Sequence, residues 1–152
     1  MADLIQLNLD QCQEKDGGFL RLVPIIQEIR KEFNTFISLR CFPPKDKNTI
    51  EQVYASGIDL LNYPLEGFAR SETTPSRQAF NSLQYAVGIF PPGAVSTELL
   101  LGPIHLMKEK IDRLIRRGVI PQIKLFIPKG KKFDTNRVTE VARYLYKAAQ
   151  KD

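Results

Sequence analysis

Five short runs of the chain alternate apolar and polar residues: 4–9, 36–41, 59–66, 95–102 and 122–128. The segments between and after them, 19–33, 46–56, 75–88, 103–117 and 135–150, repeat apolar positions at helical spacing instead. In residues 103–117 the stripe is Ile104, Met107, Ile111, Leu114 and Ile115, with Arg113, Arg116 and Arg117 opposite. In the last helix it is Val138, Val141, Ala142 and Leu145. Strands alternating with helices predict βαβ units and a parallel sheet. The punctuation agrees. Thr74-Pro75 is a cap followed by proline at the first helical position, and Gly57 and Gly118 sit where helices stop. Pro43-Pro44 and Pro91-Pro92-Gly93 mark loops, and no long linker divides the chain, so residues 1–152 read as a single domain.

Side chains in a strand point alternately to its two faces, so each run splits by parity. One set is Leu7, Leu9; Ile37, Leu39; Leu61, Leu65; Thr97, Leu99, Leu101; Ile123, Leu125, Ile127. It is nearly all apolar and belongs under the helices. The other is Gln6, Asn8; Ser38, Arg40; Asn62, Pro64, Glu66; Ser96, Glu98, Leu100; Gln122, Lys124, Phe126. It is mostly polar and carries ions of both signs. A doubly wound sheet is covered on both faces and has continuously apolar strands, so this pattern speaks against it. A (β/α) barrel divides its inner face between packed layers and a site at the strand tips. The expected fold is therefore α/β, a parallel five-stranded partial (β/α) TIM-type barrel with helices on the outer face. Arg40, Glu66, Glu98 and Lys124 converge on its hollow, and buried charges there need partners or a ligand.

The 152 residues carry 22 Lys and Arg against 17 Asp and Glu, a net charge of +5. The basic residues gather late, at Lys108, Lys110, Arg113, Arg116, Arg117, Lys124, Lys129, Lys131 and Lys132. Most fit the solvated face of an amphipathic helix and a loop, so no nucleic-acid partner is expected. No apolar run has membrane-spanning length, and the start, Met1-Ala2-Asp3-Leu4-Ile5, lacks the features of a signal peptide. The two cysteines, Cys12 and Cys41, have no framework spacing and read as reduced, in a cytoplasmic protein. His105 stands alone on a helix and defines neither a metal site nor a triad. No nucleophile elbow or phosphate-binding glycine loop occurs.

The run Gly57-Ile58-Asp59-Leu60-Leu61-Asn62-Tyr63-Pro64-Leu65-Glu66 resembles the middle strand of radical S-adenosylmethionine enzymes of the biotin synthase-like branch. The runs Phe36-Ile37-Ser38-Leu39-Arg40-Cys41 and Val95-Ser96-Thr97-Glu98-Leu99-Leu100-Leu101-Gly102 fall in the matching order, as does Gly118-Val119-Ile120-Pro121 leading to Phe126-Ile127-Pro128. The resemblance spans roughly residues 4–128. It implies a partial barrel whose strand tips hold S-adenosylmethionine, with Glu66 on the ribose hydroxyls and the strand of Leu100 against the adenine. It places the cofactor among Glu66, Asn62, Ser96, Glu98 and Leu100, and leaves Asn8, Ser38, Arg40 and Lys124 for a small-molecule substrate. The sequence departs from the family's pattern in lacking its CxxxCxxC triad, so this chain does not bind the four-iron four-sulfur cluster. It also lacks the Gly-Gly-Glu segment, and Glu98 and His105 stand at the first glycine and final glutamate of the G-x-I-x-G-x-x-E pattern.

The expected function is accordingly the C-terminal portion of a radical S-adenosylmethionine-type barrel enzyme, completed by an N-terminal barrel part or a second subunit and inactive alone. Two other readings stay open. One is a barrel enzyme acting on a carbonyl or phosphorylated substrate through a Lys124 amine or the Lys129-Gly130-Lys131-Lys132 loop. The other is a non-enzymatic module that oligomerises through its open sheet.

Overall fold

A computed structural model describes residues 4–9, 14–64, 75–125 and 134–150, with side-chain surroundings described from residue 79 onward in the helix that starts at 75. Strands β1 (Leu4–Asn8), β2 (Phe36–Arg40), β3 (Leu60–Asn62), β4 (Val95–Leu100) and β5 (Ile120–Lys124) alternate with helices α1 (Val23–Glu32), α2 (Asn48–Ala55), α3 (Pro75–Val87), α4 (Ile104–Ile115) and α5 (Thr135–Ala149). A 3-10 turn over Phe19–Arg21 leads into α1. The result is an α/β fold around one parallel five-stranded sheet.

The strands lie in the order β1-β2-β3-β4-β5, each parallel to the next. A doubly wound sheet reverses its order at a switch point, and none occurs among the described strands. Right-handed crossovers between successive neighbours all return over the same face, which leaves the opposite face to the polar side chains. The parity pattern fits this geometry. Ile37, Leu39 and Leu61 are 0% exposed and Leu99 is 2%. They share one core with Ile26 of α1, Val53 of α2, Leu83 and Ala86 of α3, Met107, Ile111 and Leu114 of α4, and Val141 of α5. Each such aliphatic side chain stabilises the fold by about 1.5–3 kcal/mol. Thr97 is the polar exception on this face, and its hydroxyl donates to the Tyr63 carbonyl at 2.6 Å.

Helix ends follow the sequence closely. Gly57 closes α2 at φ 100° and Gly118 follows α4 at φ 73°, a region that other residues enter only with strain. At Gly57 a side chain would also meet Arg30, whose Nε would stand 3.2 Å from the added carbon. That crowding is structural. Arg30 donates to the Gly57 carbonyl at 3.0 Å and to the Thr35 carbonyl at 2.6 Å, and it pairs with Asp59. Asp59 in turn accepts from the Ile37 amide at 2.8 Å. One arginine thus ties the end of α1 to the starts of β2 and β3.

Three details differ from the sequence pattern. β5 begins at Ile120, so Pro121 lies inside the strand rather than before it. β5 pairs only with β4 among the described strands, and a proline is tolerated at such an edge because no neighbour needs its missing N–H. β3 is short, ending at Asn62, while Leu65 and Glu66 fall outside the described residues. In α5 the inward stripe is Val138, Val141, Leu145 and Ala148, with Tyr144 beside it, and Ala142 is exposed. The Tyr144 hydroxyl donates to Asp112 of α4 at 2.7 Å, which pulls that ring toward α4.

Candidate functional site

Parallel pairing sets residues of the same parity side by side. Asn8, Arg40, Asn62, Ser96 and Ile120 form one continuous row across all five strands. Glu98 beside Gln122, and Leu100 beside Lys124, form the next levels toward the strand ends. All of these lie on the face opposite the core stripe.

Arg40 of β2 and Glu98 of β4 meet across the intervening β3, a span of about 10 Å between strands. The contact is bidentate: Arg40 Nε donates to Glu98 Oε1 at 2.5 Å and Nη2 to Oε2 at 3.0 Å. Lys124 Nζ adds a third donor, 3.2 Å from Oε2. The burial differs sharply along this triad. The Glu98 side chain is 13% exposed, Arg40 24% and Lys124 52%. The Arg40 bonds hold the Glu98 carboxyl below its ordinary range, partial burial opposes them, and Lys124 adds a smaller push in the same direction as Arg40. Glu98 is therefore ionised at neutral pH and acts as an anchor, not as an acid.

Beside the triad lies a neutral cluster. Asn62 Nδ2 donates to Ser96 Oγ at 3.0 Å and to Gln122 Oε1 at 3.1 Å. Gln122 Nε2 donates to Ser96 Oγ at 3.2 Å, and Ser96 Oγ donates to the Leu61 carbonyl at 3.3 Å. Asn62 is 6% exposed, yet its Oδ1 is buried with no donor. A buried acceptor in that state costs free energy.

Of the site residues expected from sequence, Arg40, Glu98 and Lys124 come together in the ion triad, and Asn62 and Ser96 in the neutral cluster beside it. Leu100 borders the triad, 39% exposed. Ser38 is buried one level below Arg40 on the same face, and Asn8 lies at the outer strand, accepting from Gln6 at 2.8 Å. Glu66 lies outside the described residues, as do Cys12 and the loop of residues 129–132. The Lys124 amine is the partner of Glu98. His105 is exposed on α4.

Sequence reasoning did not single out Gln122 as a member of this cluster, although its parity placed it on the face. It also missed the behaviour of Cys41 and Tyr63, which continue the apolar parity beyond β2 and β3. Cys41 is buried, and burial pushes its thiol up to about 12. Tyr63 is fully buried, its phenol is pushed well up by burial, and its hydroxyl has no partner. Among the described residues no group of His, Cys, Asp and Glu side chains is arranged to hold a metal ion, and no helix is long and apolar enough to cross a membrane.

The fold and polar face define a parallel α/β protein with a polar network on one face of its sheet. No protein-family model matches the chain. It is similar to the bacteriochlorophyllide c C-7(1)-hydroxylase of Chlorobaculum limnaeum, 24% identical over 141 residues that cover 84% of this chain and 32% of the relative. The chain spans about a third of the length of that curated relative.

Proposed function

We propose that this chain is the C-terminal portion of a radical S-adenosylmethionine-type barrel enzyme, forming a partial (β/α) barrel that supplies the ribose, adenine and substrate side of the site. The observation that carries this reading is the convergence of Arg40, Asn62, Ser96, Glu98, Gln122 and Lys124 on one face of a sequentially ordered parallel sheet. The hydroxylase relative supports it, since a hydroxylase works at a C–H bond.

The residues fit the two parts of the cofactor system differently. The iron–sulfur cluster does not fit. The sequence holds only two cysteines, and the one that is described is buried with a thiol that resists ionisation, whereas cluster ligands are thiolates. The cluster therefore belongs to a complementary N-terminal barrel part or second subunit. S-adenosylmethionine fits better. The orphaned Asn62 Oδ1 would accept a hydrogen bond from it, Ser96 stands beside Asn62 with Glu98 one level further along the same face, and the family resemblance implies the ribose role of Glu66. Bound near a reduced cluster, that cofactor supplies one-electron hydrogen-abstraction chemistry. The chain's own residues position ligands: Arg40 fixes Glu98, Glu98 holds Lys124, and Asn8 and Ser38 extend the substrate side across β1 and β2.

Co-expression with a barrel half that carries a CxxxCxxC motif tests the reading. Stable association and S-adenosylmethionine binding by calorimetry are expected, with binding weakened by Asn62→Ala and Glu66→Ala. Two halves that remain separate in sedimentation, with no heat of cofactor binding, would refute it. A second reading, a homo-oligomer joined through the sheet edges, is favoured by Leu4 on β1 and Leu125 just past the end of β5, which are 48% and 44% exposed. The same sedimentation run separates them, because the chain alone then exceeds monomer mass.

A further inference from the structure

We propose that the outer corner of the polar face, where Lys124 stands beside Leu100, is a binding site for an amphiphilic small-molecule oxyanion, a carboxylate or phosphate group carried on an apolar body. The inference rests on the reading above only in taking this face as the ligand face. It adds the chemical class of the substrate.

The charge arrangement is asymmetric. Arg40 engages both Glu98 oxygens, and that fork satisfies the carboxylate on its own. Lys124 is a third donor on an acceptor already in use, through one bond of 3.2 Å, and it is half exposed while Glu98 is nearly buried. The triad keeps one net positive charge, and the exposed member carries it. An incoming oxyanion can take Lys124 without leaving Glu98 unpaired, because Arg40 remains. The reverse exchange, drawing Arg40 away, would strand a carboxylate that is 13% exposed. A lysine ammonium suits this role, being a point charge that accepts an oxyanion from several directions.

Two further observations point to a ligand rather than to bare surface. Leu100 is register partner to Lys124 on the same face and is 39% exposed, so an apolar wall adjoins the cation. On the same face, in the neutral cluster two side-chain levels below Leu100 and Lys124, Asn62 Oδ1 is a buried acceptor with no donor.

The test is nuclear magnetic resonance on the full chain, titrated with inorganic phosphate and, in a second arm, with hexanoate. Saturable shifts at Lys124 and Leu100 are expected. Lys124→Ala should weaken the stronger ligand by about tenfold or more, Lys124→Arg should retain most of the response, and Lys147→Ala, an exposed lysine on α5, should change nothing. Tighter hexanoate assigns a carboxylate with an apolar body, and tighter phosphate a phosphorylated ligand. The proposal is overturned if neither anion gives a saturable response at Lys124, or if Lys124→Ala and Lys147→Ala behave alike while both retain the folded spectrum. Loss of association with a cluster-bearing half would defeat the proposed function yet leave these titrations unchanged.

Discussion

The two faces of this sheet are built from the same five strands and differ by a one-residue step. On one face Ile37, Leu39 and Leu61 are sealed under helices. On the other, Arg40 and Asn62, their immediate chain neighbours, carry charge and hydrogen bonds. The apolar face has no alternative use, since aliphatic side chains only fill space. The polar face is more tightly specified than folding requires. A scaffold needs no ion triad crossing β3 and no orphaned amide, and replacing such groups with apolar ones is often neutral. The contrast separates the face that holds the chain together from the face on which the proposed site rests.

The largest expected effect concerns cysteine reactivity on the two faces. Cys41 shares the apolar parity, and its thiol is raised from 9.0 to about 12 by burial. In a Cys12→Ser background, alkylation of Cys41 at mildly alkaline pH should run about a thousandfold slower than that of Asn8→Cys on the exposed outer strand, from thiolate fraction alone. Equal labelling rates under native conditions would show that the two faces are not segregated as described.

Leu39→Ala tests the apolar face directly. The side chain is 0% exposed, so truncation should cost about 2–5 kcal/mol in urea unfolding, with the slope against denaturant unchanged. A cost under about 1 kcal/mol would mean that the site collapses or is already loose.

Most of this contrast was legible in the sequence, and the reasons for the shortfall are physical. The parity of each strand predicted which side chains share a face, because alternation is fixed by backbone geometry. Helix limits at Gly57 and Gly118 were legible because their positive φ favours glycine. What parity does not carry is register. That Arg40 reaches Glu98 over β3, with Lys124 as the outer partner, depends on how far each strand slides past the next. Pro121 misled because proline punctuates most chains, and only the edge position of β5 makes it admissible inside a strand. Tyr144 was obscured because the pull of Asp112 on its hydroxyl is tertiary. Asp59, part of the family-like run, turned out to be bonded to Arg30 and the Ile37 amide, so that portion of the resemblance reflects how β2 and β3 are joined.

The ion triad should give the next largest effect. Glu98→Gln leaves the Arg40 guanidinium, 24% exposed, without its carboxylate and should destabilise by about 1–3 kcal/mol at neutral pH. The pH dependence has a fixed sign. The folded Glu98 pKa lies below its ordinary 4.5, so the folded state favours the ionised form. Its contribution is fully present above the ordinary glutamate range and is lost as pH falls through the lowered folded value. Wild type and Glu98→Gln should therefore converge in stability in acid and separate above the ordinary value. Parallel curves would place the effect elsewhere.

The smallest effect on stability should come from Asn62→Leu, and it bears most directly on the difference between the faces. The substitution removes the bonds to Ser96 and Gln122, but those two still bond to each other, and Ser96 keeps the Leu61 carbonyl. It also removes a buried acceptor that has no donor. Loss and relief offset, so the net change should stay within about 1 kcal/mol. If S-adenosylmethionine binding by the assembled halves falls while the unfolding curve stays in place, Asn62 belongs to the ligand. If unfolding shifts by more than about 2 kcal/mol, the amide is a structural part of the sheet and the polar face loses its clearest sign of a ligand.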